Sequence, residues 1–174
     1  NLTGSQVTTA QTDSEGNYRF EGLPTSGTYT VTPTRVNYTF NSPSWTTTTP
    51  SSDRVANFTS ALNNYVISGR VGQPTGQALA DVTVTLSGSQ SATATTDASG
   101  NYAFTVPGEG DYTITPTKPD HGFSPPSRVF NDLGANQVAN FTGAFQSFSI
   151  SGRVLVSTGQ AFNVGNPRSV LTIY

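Results

Sequence analysis

Val82-Thr83-Val84-Thr85-Leu86 alternates apolar and polar side chains, the period of a strand with one face on a core and one in water. Working outward, Tyr102-Ala103-Phe104-Thr105-Val106 and Tyr112-Thr113-Ile114-Thr115 repeat that alternation. Valine, threonine, tyrosine and phenylalanine suit a half-buried pleated surface. Turn signals separate the runs at Asp97-Ala98-Ser99-Gly100, Pro107-Gly108-Glu109-Gly110 and Pro125-Pro126. No stretch carries apolar residues at helical spacing over three turns. The fold class is all-β, and short strands at this spacing predict an antiparallel β-sandwich of about seven strands per module.

The chain repeats itself. Ile67-Ser68-Gly69-Arg70-Val71 returns as Ile150-Ser151-Gly152-Arg153-Val154, a shift of 83 residues. At the same shift, Val55-Ala56-Asn57-Phe58-Thr59 returns as Val138-Ala139-Asn140-Phe141-Thr142. Asp13, Gly16-Asn17-Tyr18 and Phe20 match Asp97, Gly100-Asn101-Tyr102 and Phe104, and Gly27-Thr28-Tyr29-Thr30-Val31-Thr32-Pro33 matches Gly110-Asp111-Tyr112-Thr113-Ile114-Thr115-Pro116. Agreement in order and spacing marks tandem modules. Residues 65–146 make one complete module. Residues 1–64 begin late, because Leu2-Thr3-Gly4-Ser5-Gln6 aligns with Leu86-Ser87-Gly88-Ser89-Gln90, so this copy lacks its first strands. Residues 147–174 contain the missing portion, as if a tandem array had been cut in mid-module.

Composition excludes several classes of work. Of 174 residues only 10% are charged, and 8 basic against 10 acidic residues give a net charge of −2. That balance argues against an electrostatic nucleic-acid binder. With no cysteine, disulfides, thiol catalysis and cysteine-ligated zinc are ruled out. No apolar run approaches the roughly 18–20 residues of a membrane span. The chain opens without a methionine or a leader, so Asn1 is expected to follow processing or truncation.

The order Ser68-Gly69-Arg70-Val71, Gly76, Ala80-Asp81-Val82-Thr83-Val84, Thr96-Asp97 with Gly100 and Tyr102, then Gly110 and Tyr112, resembles the carboxypeptidase regulatory-like domain. That family is a transthyretin-like, Ig-like sandwich and is similar to the B-type repeats of bacterial surface adhesins. The resemblance covers nearly the whole chain and rests on turn glycines and core aromatics, which specify fold more than activity. It implies a stalk, spacer or accessory module.

Catalytic tools are few, and the chain is expected not to be an enzyme. The lone histidine, His121, aligns with Tyr38, so the repeat does not require an imidazole there. One histidine cannot build the zinc site of peptidases that carry regulatory-like domains. Calcium needs clustered oxygens. The best loops, Asp13-Ser14-Glu15-Gly16-Asn17 and Asp97-Ala98-Ser99-Gly100-Asn101, read as hairpin turns, so no metal or cofactor is expected. A Lys–Asn amide of the kind found in surface sandwiches is rejected as a module-wide device, because Lys118 is the chain's single lysine. Asn1, Asn37, Asn57 and Asn140 head Asn-x-Thr triplets and are glycosylation acceptors where the machinery exists. Trp45 and Tyr38 fall in one loop region and raise a sugar-binding reading, whereas the aromatics that recur in both copies read as core.

An interface remains. The incomplete first copy is expected to expose an inner face built on Leu2, Val7, Phe20, Tyr29 and Val31 beside an unpaired sheet edge. The 147–174 segment carries Phe148, Ile150, Val154, Phe162, Val170, Leu171 and Ile173, the groups that copy lacks. Three partners are open: the first copy of the next identical subunit, head to tail in a filament; adjacent modules of a longer chain; or, ranked last because linkers such as 60–64 favour end-to-end modules, the chain's own first copy. The register of the last strand stays open by one residue. The functional expectation is a structural module of an extracellular surface fibre, with a glycan- or calcium-binding accessory or stalk module of a secreted adhesin or enzyme as the competing class.

Overall fold

The computed structural model describes residues 1–152, and the regular structure among them is β throughout. The chain divides into two compact units, Asn1–Ala144 and Phe145–Tyr174. Within the first unit, the first sequence copy supplies β1 (Leu2–Gly4), β2 (Thr28–Val31), β3 (Tyr38–Phe40), β4 (Trp45–Thr48) and β5 (Ser60–Leu62). The second copy supplies β6 (Asn64–Gly72), β7 (Thr83–Gly88), β8 (Ala92–Thr95), β9 (Asn101–Pro107), β10 (Tyr112–Thr117), β11 (His121–Ser124), β12 (Arg128–Phe130), β13 (Gln137–Val138) and β14 (Phe141–Phe145). Among the described residues no helix is long and apolar enough to cross a membrane.

The second copy is a sandwich of two sheets. One runs β12-β10-β7-β8, and the other runs β11-β14-β6-β13 with β9 also on β6. That makes nine strands where the alternation predicts about seven, because the chain between β10 and β14 breaks into three short pieces. The two-residue period is clearest in β9 and β10. Along β9 the side chains alternate exposed and buried without a break, with Tyr102, Phe104 and Val106 inward. Val82, Val84, Leu86 and Ile114 meet Ile67 and Val71 across the interior, and all six are at most 1% exposed. Thr96 is the buried polar residue of this core. Its hydroxyl accepts from Val82 N at 3.0 Å and donates to Leu79 O at 2.9 Å, so it buries no unpaired group.

The first copy has the same plan with parts absent. Its sheet β1-β2-β4 repeats β7-β10-β12, and its pair β3-β5 repeats β11-β14. The registers agree: Leu2 faces Val31 as Leu86 faces Ile114, and Val31 faces Trp45 as Ile114 faces Arg128. Gly4 and Gly88 show why glycine recurs there. Both have positive φ (110° and 116°), and a Cβ at either would overlap the carbonyl oxygen across the ladder, Thr28 or Asp111. The 60–64 linker is taken up into strands. β5 ends at Leu62 and β6 starts at Asn64, leaving Asn63 alone between them.

Candidate functional site

Among the described residues the first copy has no counterpart of β6, the central strand of the second copy's sheet. In the second copy β6 pairs antiparallel with β9, from Asn64 opposite Pro107 to Arg70 opposite Asn101. On its other side it pairs parallel with β13 and β14. Strand β9 has β6 as its ladder partner. The matching stretch of the first copy, residues 17–24, contains no strand and has no such partner among the described residues. Its local geometry survives nonetheless. Tyr18 and Phe20 meet edge to face with ring centroids 5.8 Å apart, against 5.9 Å for Tyr102 and Phe104. Tyr18 donates its hydroxyl to Ala56 O at 2.6 Å, and Tyr102 does the same to Ala139 O.

Burial measures the consequence. Tyr102, Phe104, Ala139 and Phe141 are buried, whereas their counterparts Tyr18, Phe20, Ala56 and Phe58 are only half-buried. The first copy's buried apolar core is Leu2, Tyr29 and Val31, with Tyr18, Phe20, Leu23, Trp45 and Phe58 packed against it. The expected exposed inner face is thus not seen at Leu2, Tyr29 and Val31, which are buried; Phe20 is half-buried against them, and Val7 is exposed away from that core.

The polar groups around the position also have counterparts. In the second copy Asn136 and Asn140 accept from Val66 N and Arg70 N through Oδ1, both at 2.8 Å. Ala139 N donates to Ser68 O at 2.8 Å, and Gly100 O accepts from Val71 N at 2.8 Å. Arg70 adds side-chain donation to Ser99 O and Gly76 O. By the repeat, Asp53, Asn57, Ala56 N and Gly16 O hold the same places in the first copy. Composition and alternation pass over these polar residues, and only the repeat alignment finds them.

Of the donor residues, Phe148 and Ile150 lie in the described part and are 85% and 104% exposed. Val154, Phe162, Val170, Leu171 and Ile173 lie outside the described residues. Gly152 adds a pointed contrast. A Cβ on its counterpart Gly69 would overlap the Ala139 carbonyl oxygen, yet a Cβ on Gly152 meets nothing within 4 Å.

The other candidate residues have the following surroundings. Asp13 Oδ1 accepts from Glu15 N and Asn17 N at 3.0 and 2.8 Å, and Asp97 Oδ1 accepts from Ser99 N and Asn101 N at 2.9 and 2.7 Å. These are Asx turns, with the carboxylate closing the loop on its own backbone. The Asn17 amide, and the Asn101 amide in the second turn, hold the two carboxyls below 3.8. A depressed folded value contributes stability that is complete above the unfolded value and lost as pH falls through the folded one. Asp97→Asn is therefore expected to lower the melting temperature at neutral pH, with the gap to the parent chain closing below pH 3.8. Thermal melts across pH 2–7 check this, and a gap that is constant with pH would overturn it. Trp45 packs on the first core from β4, while Tyr38 sits on β3 under the Arg35 guanidinium, 4.2 Å from its ring centroid. The two do not share a platform. His121 Nδ1 lies 2.8 Å from Pro119 O, and its ring stacks on Phe123. The Asn140 and Asn37 side chains are engaged at Arg70 N and Tyr65 Oη, whereas Asn57 has no hydrogen-bonded side-chain partner among the described residues.

The family model of the carboxypeptidase regulatory-like domain matches residues 66–143. A curated relative, the chitinase ChiA of Flavobacterium johnsoniae, is 34% identical over 147 residues, covering 82% of this chain and 9% of the chitinase. The chain thus spans about a tenth of the length of that relative. Among solved structures, a minor pilin of Streptococcus agalactiae aligns at 16% identity and a TM-score of 0.42, over 83% of this chain and 71% of the pilin. A shaft pilin of Lactobacillus rhamnosus GG aligns at 12% identity and 0.40, over 84% and 78%.

Proposed function

We propose that this chain, whose residues 66–143 form a carboxypeptidase regulatory-like domain, is a non-catalytic structural part of an extracellular surface fibre. Its copies join head to tail, the 147–174 segment of one completing the 1–64 module of the next. One observation carries the reading: among the described residues the first copy has no counterpart of β6, and the tail repeats that strand's Ile67–Val71 run as Ile150–Val154. Phe148 and Ile150 correspond to Tyr65 and Ile67, and Ser151-Gly152-Arg153-Val154 repeats Ser68-Gly69-Arg70-Val71. Burying Phe148 and Ile150 alone stabilises such a contact by about 3–6 kcal/mol gross. Main-chain pairing on both sides adds to this, and the order of side chains sets the register. The contact is heterologous, so it propagates unless it closes into a ring.

The chitinase relative favours a second reading, a stalk or accessory module of a long secreted enzyme or adhesin. There the open position is filled by the neighbouring stretch of the same polypeptide. Light scattering and negative-stain microscopy of the 174-residue chain separate the two. Filaments or rings that vanish when residues 147–174 are deleted are the expected result. A monomer at every concentration would overturn chain-to-chain joining, and retention of that monomer on chitin would favour the stalk.

A further inference from the structure

We infer that the joint between the two copies is an elbow locked by side chains, and that the equivalent joint made by the 147–174 segment is a hinge. The second half of this inference rests on the proposed head-to-tail joining. Asn37 is the centre of the lock. It sits in the left-handed region at φ 63°, accepts Asn63 N on its carbonyl at 2.7 Å, and accepts the Tyr65 hydroxyl on Oδ1 at 2.9 Å. Thr39 Oγ1 donates to Asn63 Oδ1 at 2.6 Å. From the second copy, Glu109 takes the Tyr38 hydroxyl at 3.3 Å and stands 4.0 Å from the Arg35 guanidinium. Gly108 N donates to Asn63 O at 2.8 Å, and a Cβ on this glycine would press on the Tyr65 ring at 2.9 Å. A chain that passes from β5 to β6 through one residue, with these cross-bonds on either side, has little freedom to bend.

Each side-chain bond of the lock is lost on moving one module along. Tyr65 becomes Phe148, which has no hydroxyl, and Asn37 becomes Asp120. Thr39 and Asn63 become Gly122 and Gln146, which removes the donor. Ser26 stands where Glu109 would, so the carboxylate of the lock is not repeated. Lys118, in the place of Arg35, donates instead to Ala80 O and Asp81 O of its own copy, at 2.9 and 3.1 Å. The left-handed turn itself is kept, with Asp120 at φ 59°. Turn geometry is therefore shared between the two joints, and the tether is not.

Two measurements test the halves separately. A chain without cysteine takes spin labels at chosen exposed positions, one in each copy. The distance distribution between them is expected to be narrow in the 174-residue chain and broader in Asn37→Ala and in Tyr65→Phe. Equal widths in parent and variants would overturn the lock, whether or not the chain assembles. In filaments imaged by negative stain, Phe148→Tyr with Asp120→Asn is expected to lengthen the persistence length by restoring the central bond. An unchanged persistence length would overturn the hinge, and an absence of filaments would overturn the joining and the hinge with it while leaving the label experiment to stand alone.

Discussion

Gly69→Ala is expected to lower the melting temperature of the second copy, while Gly152→Ala leaves the melting temperature of the chain unchanged and abolishes assembly. Gly69 lies on β6 between β9 and β13, and its missing Cβ is the space into which the Ala139 carbonyl projects. The Tyr102 hydroxyl, itself bonded to that carbonyl, lies 2.9 Å from where the Cβ would be. Backbone on a central strand cannot retreat without breaking Ala139 N to Ser68 O. Overpacking of this kind costs about 3 kcal/mol, which for a module of this size lowers the midpoint by roughly 10–20 °C. Gly152 repeats the glycine in open space, where a methyl group costs nothing. If the tail fills the position opened by the missing strand, Gly152 meets Ala56 O and the Tyr18 hydroxyl, and alanine there is as damaging as at Gly69. Calorimetry and light scattering on the two variants check both halves. Assembly that survives Gly152→Ala would overturn the strand register, and a stable Gly69→Ala would overturn the steric account.

The same pair shows how far the linear sequence reaches. Alternation located β7, β9 and β10 of the second copy, each of which has a ladder partner within the chain. It failed for Tyr18 and Phe20, which carry the pattern of Tyr102 and Phe104 without forming a strand. A period of two says which face a strand would bury; a ladder needs a neighbour, and that neighbour is β6 in one copy and has no counterpart among the described residues in the other. The phase of the repeat is what distinguishes the two copies in the sequence. The elbow was not legible. Asn37 and Glu109 are non-glycine residues at positive φ, at 63° and 58°. Their partners Tyr65 and Tyr38 are 28 and 71 residues away. Such bonds follow from how the copies meet, which no local pattern encodes. The 60–64 stretch read as linker for a related reason, since small and polar residues there pair with β3 through backbone groups that any side chain permits.

A chain carrying a second copy of residues 65–85 ahead of Leu2 is expected to complete its first module in cis and to stop assembling while keeping its tail. In the second copy residues 65–85 run directly into Leu86, the counterpart of Leu2, so the added segment joins at the natural point. It brings the equivalent of β6 between residues 17–24 and residues 54–58, and it adds the equivalents of Ile67 and Val71 to the core of Leu2, as those two share a core with Leu86 in the second copy. Tyr18, Phe20 and Phe58 then pass from half-buried to buried, as Tyr102, Phe104 and Phe141 are now. Amide exchange reports this directly, because residues 17–24 gain slow protons only when a ladder forms. Particle size reports the rest: the tail still carries exposed Phe148 and Ile150, but the position that would receive them is taken. Slow exchange together with a monomer is the expected pair of results. Filaments from a chain whose first module is already complete would mean that the tail binds elsewhere, and the open central strand would no longer explain how copies join.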